Sequence, residues 1–209
     1  MFITFEGVDG SGKTTQLRRL QTFLQATGRS VICTREPGGT PIGDQVRHVL
    51  HDVANTAMTP VAEILLYSAA RAQLVGELIR PALARGDLVL CDRFYDSTFA
   101  YQGYGRGLDL ELLRTVTRFA TGGLTPDLTV LFDLDSERGL ARRTQGGDEM
   151  NRMDRQTHDF YRRVRSGYHA LAAREPARWA IVDADRPPDA IFATLCDLVV
   201  DRLGALPPS

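Results

Sequence analysis

Lysine is nearly missing from this 209-residue sequence: of its 25 cationic side chains only Lys13 is a lysine, and the rest are arginine. No polybasic tract stands out, and a net charge of −1 provides no overall field that would draw nucleic acid or an anionic membrane surface. Cysteine is scarce too. Cys33, Cys91 and Cys196 are odd in number and widely spaced, which suits neither a disulfide framework nor a zinc site, so reduced, buried thiols are expected. Apolar runs are only strand-sized, far short of the ~20 residues that cross a bilayer. The opening "MFITF" has no basic n-region, apolar h-region or small-residue cleavage site, so the cytoplasm is the expected compartment. The four histidines, His48, His51, His158 and His169, form no metal-ligand or nucleophile-relay pattern.

What is present is alternation. Strand-like runs at Phe2–Glu6, Ser30–Thr34, Leu88–Cys91, Leu128–Asp133 and Trp179–Val182 are separated by helix-compatible segments at Lys13–Ala26, Pro60–Ala84, Asp109–Ala120 and Asp154–Ala173. This order predicts an α/β fold with a parallel sheet and helices on both faces, one domain over residues 1–209. Right-handed crossovers gather the strand C-termini on one edge, where such sheets bind ligands. Polar residues follow the strands there: Glu6, Thr34-Arg35-Glu36, Asp92-Arg93 and Asp133. The polar stretch "RRTQGGDEMNRMDR", residues 142–155, reads as a mobile lid or as an exposed loop, and the tail "ALPPS" is expected to fray.

Between the first strand and first helix lies Gly7-Val8-Asp9-Gly10-Ser11-Gly12-Lys13-Thr14, which fits G-x-x-x-x-G-K-[ST] in the strand–loop–helix context that motif requires. Backbone N–H groups of Gly7, Val8, Asp9, Gly10, Ser11, Gly12, Lys13, Thr14 and Thr15 are expected to surround nucleotide phosphates, helped by the helix N-terminus. Lys13 reaches the β- and γ-phosphates, and the Thr14 hydroxyl takes a place on Mg²⁺. A compact ammonium fits such a ring of amides where a flat guanidinium does not, which accounts for the one lysine in an arginine-only background.

The loop by itself leaves the reaction open. With no second lysine the chain cannot carry the N/T-K-x-D guanine motif of switch GTPases. The third strand ends in Asp92-Arg93, where ATPase machines carry Asp followed by Glu. A basic residue there suits a second anionic substrate, and points to a kinase acting on a small phosphorylated acceptor. A related kinase for a deoxynucleoside or another monophosphate, and a nucleotide-binding switch without catalysis, remain the rival readings.

Five blocks then occur in an order that resembles the bacterial thymidylate kinase family: "FEGVDGSGKTT", "TREPGGT" (Thr34–Thr40), "YSAARAQL" (Tyr67–Leu74), "CDRFYDSTFAYQG" (Cys91–Gly103) and "PDLTVLFDL" (Pro126–Leu134). The resemblance spans nearly the whole chain. It implies a P-loop NTPase fold with a five-stranded parallel sheet, a homodimer, and transfer of the ATP γ-phosphoryl group to the 5′-phosphate of dTMP with Mg²⁺.

The same resemblance implies roles for single residues. Asp9 positions the acceptor nucleotide, and Arg47 and Arg93 clamp its phosphate, a task suited to fork-shaped guanidinium groups. Tyr67 stacks on the thymine while Arg71, four residues on, donates to a base carbonyl. Thr98 and Gln102 read or support the base, and Tyr101 lies near C2′ of the sugar. Asp92 is expected near Mg²⁺ through water, with a helix-cap role as its competitor. Gly10 stands where some family members carry a catalytic arginine, so the lid is expected to supply it from Arg142, Arg143 and Arg152. Gln145-Gly146-Gly147 and "NRMD" depart from the family's lid pattern and leave open whether Arg142 or Arg143 acts and whether Arg152 is structural.

Overall fold

The computed structural model describes residues 1–145, 152 and 156–204, the side chains of 143–145 excepted. Of the expected lid, residues 146–151 and 153–155 lie outside the described residues, as does the tail 205–209.

Five strands form one wholly parallel sheet: β1 (Phe2–Glu6), β2 (Val31–Arg35), β3 (Leu88–Asp92), β4 (Leu128–Asp133) and β5 (Trp179–Asp183), in spatial order β2-β3-β1-β4-β5. The inner strands β1, β3 and β4 are covered on both faces and read as near-continuous apolar runs, while the edge strands β2 and β5 are partly exposed. Alternate side chains feed two cores. Ile3, Phe5, Leu88, Leu90, Val130 and Phe132 pack beneath α1 (Lys13–Ala26) and a last helix, Pro188–Gly204. Phe2, Val89, Cys91, Leu131 and Trp179 pack with the helices of the opposite layer. Cys91 is buried, whereas Cys33 and Cys196 are only partly so, and all three are free thiols.

The opposite layer begins with α2 (Pro41–His51) and α3 (Pro60–Leu74), both capped by a threonine, Thr40 and Thr59, with proline at the first helical position. α3 runs on through a π-type segment, Val75–Ile79, into α4 (Arg80–Ala84), so the expected Pro60–Ala84 helix is one continuous rod with a register shift inside it. α5 (Tyr95–Thr98) likewise passes into a π-type segment, Phe99–Gly105, and such bulges are frequent at functional sites. α6 (Leu110–Thr121) comes next, capped by Asp109 at one end and left-handed Gly122 at the other. α7 (Ser136–Gln145) carries the chain into the expected lid, and α8 (His158–Arg174) carries it back. α9 (Pro188–Gly204) covers α1. α9 is not among the helix-compatible segments picked out in the sequence, and α7 runs three residues past the expected start of the lid.

Among the described residues, no helix is long and apolar enough to cross a membrane.

Candidate active site

The central strand β1 ends beneath a cavity of about 1100 Å³, slightly larger than the ~300–1,000 Å³ usual for one small-molecule pocket. One wall carries Asp9, Gly10 and Gly12 of the loop that follows β1, whereas Gly7, Val8 and Ser11 do not line the cavity. Gly7 adopts φ +136°, and a Cβ there would lie 2.4 Å from the Phe132 carbonyl oxygen. Gly10, at φ +77°, packs still closer: its Cβ would meet the Gly139 carbonyl oxygen at 2.0 Å. The α7 backbone therefore fills the space that a side chain at position 10 would need.

Lys13 is buried and donates from Nζ to the carbonyl oxygens of Val8 (2.8 Å) and Gly7 (3.1 Å) and to Ser11 Oγ (3.3 Å). Burial, and after it the nearby Arg93 charge, lowers its pKa from 10.5 to about 8. Beside it Thr14 Oγ1 donates to Asp92 Oδ2 at 2.5 Å. A hydroxyl and a carboxylate held this way on the cavity wall suit Mg²⁺, which takes one or two protein oxygens and completes its octahedron with water and phosphate. Thr15, Gly12 and Asp9 also line the cavity.

Arg93 sits at φ +70°, a strained conformation for a non-glycine residue. Its guanidinium is gripped on several sides. Nη2 donates to Asp9 Oδ1 (2.8 Å) and Tyr101 Oη (3.2 Å), and Nη1 to Ser97 Oγ (3.1 Å) and Tyr168 Oη (3.2 Å). Behind these groups lies Glu6, fully buried, accepting from Phe94 N–H (2.8 Å), Ser97 Oγ (2.6 Å) and Tyr168 Oη (2.8 Å). Burial, reinforced by Asp96 and opposed by Arg93, lifts its carboxyl from 4.5 to about 7. Arg47 lines the same cavity and donates from Nη1 to the Pro37 carbonyl (2.9 Å), just after the cis Glu36–Pro37 bond. Burial and then the charge of Arg35 make its positive form costlier than usual. An anion brought beside Lys13 and Arg47 would relieve both of them, whereas Arg93 is already held in its charged form by Asp9 and the groups around it.

The far wall is built by α3 and the α5 region. Arg71 is 1% exposed. Its Nε and Nη2 are taken by Glu36 (2.8 and 2.7 Å), and Nη2 also donates to Thr98 Oγ1 at 2.9 Å. Nη1 is buried without a partner on a residue that lines the cavity. Tyr67 stands one turn earlier; burial pushes its hydroxyl up to about 12, so it is neutral at physiological pH. Gln102 and Tyr101 complete this wall.

The structure thus brings Asp9, Lys13, Thr14, Arg47, Tyr67 and Arg71 to one cavity, together with Asp92, Arg93, Thr98, Tyr101, Gln102 and Arg142. Arg142 donates to the Ala184 carbonyl (2.9 Å) and pairs with Asp185 (3.1 Å). The side chain of Arg143 lies outside the described residues. Arg152 is buried and is not among the residues that line the cavity; it donates to the Leu50 carbonyl (3.0 Å) and to Glu63. The supporting residues Glu6, Glu36, Ser97 and Tyr168 receive no role from sequence. Glu6 and Glu36 give a faint signal there as polar strand ends; Tyr168, in the middle of α8, gives none.

Comparison with known proteins agrees with this geometry. The family profile described as thymidylate kinase matches residues 5–194. The chain is 54% identical to the thymidylate kinase of Deinococcus radiodurans over 202 residues, covering 97% of each chain. It is 50% identical to that of Trichlorobacter lovleyi over 208 residues, covering 97% of this chain and 98% of the relative. The crystal structure of thymidylate kinase from Ehrlichia chaffeensis superposes with a TM-score of 0.78 at 33% identity, over 95% of this chain and 97% of that one. The chain belongs to the thymidylate kinase family of nucleoside monophosphate phosphotransferases.

Proposed function

We propose that this protein transfers the γ-phosphoryl group of ATP to the 5′-phosphate of dTMP, giving dTDP and ADP, with Mg²⁺ as its metal and a lid over residues 142–155. The observation that carries the reading is the shared cavity: a P-loop lysine on one wall and, on the other, a buried arginine with one donor left to give.

Lys13 exchanges its three loop acceptors for phosphate oxygens, a replacement that also restores the charge that burial disfavours. Thr14 and Asp92 would hold Mg²⁺, in part through water, and the ion would supply positive charge to the phosphates. Arg93 and Arg47 receive the dTMP phosphate, and Asp9 fixes the Arg93 fork so that the acceptor oxygen meets the γ-phosphorus in line. No covalent intermediate is needed, because a loose transition state asks for positioning and positive charge. Arg142, on the cavity wall, is the lid arginine this reading assigns to the transferring group; Arg152 supports the wall through Glu63. Tyr67 and Arg71 take the thymine. The three free thiols fit a reducing cytoplasm. A homodimer is part of the reading, supported by exposed apolar residues on α2, α3 and α6.

A coupled assay with ATP, Mg²⁺ and a panel of monophosphates tests this: kcat/KM is expected to be highest for dTMP. Faster turnover of thymidine or dCMP would overturn it. Arg71→Ala is expected to raise the KM for dTMP by roughly tenfold or more while leaving that for ATP nearly unchanged. Equal losses for both nucleotides would remove Arg71 from base recognition.

A further inference from the structure

We propose that Glu63, which stands outside the phosphate machinery, sets which pyrimidine the site accepts by locking the Gln102 amide with its carbonyl oxygen toward the cavity. The inference rests on the thymidylate kinase reading and adds a positioning residue to it.

Glu63 lies on α3 one turn before Tyr67, and its side chain is buried. Four donors converge on it. Gln102 Nε2 reaches Oε1 at 2.8 Å, Arg106 reaches both oxygens at 2.9 and 3.0 Å, and Arg152 Nη2 reaches Oε2. Burial alone would raise the pKa of this carboxyl, but the hydrogen bonds from Arg106 and Gln102 outweigh it and hold Glu63 below the usual range. An ionised carboxylate only accepts hydrogen bonds. The amide of Gln102 can therefore meet it only through its NH₂ end.

That constraint carries to the cavity. Gln102 is itself buried and lines the cavity, and the end Glu63 does not hold is the acceptor Oε1. Arg71 contributes the complementary group. Glu36 and Thr98 occupy its Nε and Nη2, which leaves the buried donor Nη1. One wall thus offers one fixed donor and one fixed acceptor. A base edge with a carbonyl beside a ring N–H satisfies both, and thymine and uracil have that edge. Cytosine carries an amine and a bare ring nitrogen at the same places, so each of its groups would face its own kind. Sites built around a hydrogen bond discriminate strongly because a mismatch leaves buried polar groups unpaired. Without the carboxylate at position 63 the Gln102 amide is free to turn over and present its NH₂ to cytosine.

The test is the ratio of kcat/KM for dTMP over dCMP in Glu63→Gln, with thermal melting and the KM for ATP measured alongside. The ratio is expected to fall by about tenfold or more, with the KM for ATP unchanged. Glu63→Asp keeps the charge and withdraws it from Gln102; it replaces the first variant if that one is not recovered folded, and the same fall is expected. Arg106→Lys weakens a different contact of Glu63 but leaves a cation beside it, and is expected to lower stability while keeping the ratio. An unchanged ratio in the Glu63 variants, or an equal fall in Arg106→Lys, overturns the proposal. Wild-type protein that turns over dCMP as readily as dTMP overturns the function itself and this inference with it. Wild-type selectivity for dTMP with no response at position 63 overturns the inference alone.

Discussion

Glu6 is a carboxyl group that the fold has taken wholly out of water and placed behind the Arg93 guanidinium and its partners Ser97 and Tyr168. With its pKa raised from 4.5 to about 7, the folded chain keeps a proton that the unfolded chain releases near pH 4.5. The contribution to stability is complete below that value and is lost as pH climbs toward 7, a decline of ~3 kcal/mol by linkage. Glu6→Gln is expected to flatten this slope: denaturant midpoints measured at pH 4.5, 5.5 and 7 should fall less in the variant than in the wild type. Parallel slopes would show that Glu6 does not titrate in this window. Lys13 is legible in the sequence because its whole function is written within the eight-residue motif around it. Glu6 is not, because its partners Ser97 and Tyr168 stand 91 and 162 residues away and only the fold assembles them. The same holds for Glu63, whose partners lie 39, 43 and 89 residues along the chain.

Elements are more legible than residues. The inner strands show as apolar runs because both faces of the sheet are covered there, and the shorter apolar stretches of β2 and β5 mark its edges. α2 follows the "TREPGGT" block directly, with Thr40 as its cap and Pro41 at its first position. The contact between the P-loop and α7 is beyond reach, since it depends on glycine meeting glycine across elements. Gly10 and Gly28 have nearly the same φ, +77° and +82°, but a Cβ at Gly28 would find nothing within 4 Å, whereas at Gly10 it strikes the Gly139 carbonyl. Gly28→Ala therefore reports backbone strain alone, on the order of 1 kcal/mol. Gly10→Ala is expected to cost ~1–3 kcal/mol more and to weaken ATP binding, because the loop must move off α7. Equal melting temperatures for the two variants would show that the contact carries no weight.

At the scale of the molecule, one layer leaves apolar side chains in water that the fold does not need there. Ile42 and Val49 are seven apart on α2, Val61 and Leu65 four apart on α3, and Leu112 and Phe119 seven apart on α6. Each spacing puts its pair on one helix face. α3 packs against both α2 and α6, so these faces belong to neighbouring helices, and Phe119 is 90% exposed. A patch of this composition marks an interaction surface, and a second copy, meeting it through the same patch under two-fold symmetry, is the simplest occupant. Leu65→Glu combined with Phe119→Glu is expected to halve the mass measured by light scattering at micromolar concentration. Val200→Glu is the matched control, because Val200 is about as exposed as Leu65 but stands on α9 in the opposite layer. Its mass is expected to stay dimeric. A monomeric wild type, or a dimer that survives the double change, would mean that this face serves something other than self-association. Tyr67 and Arg71, which we propose take the thymine, ride on the same helix α3, so a dimer that braced α3 would also brace that wall. The double variant should accordingly lose dTMP affinity before it loses affinity for ATP, whose cradle hangs from β1 on the far side of the cavity.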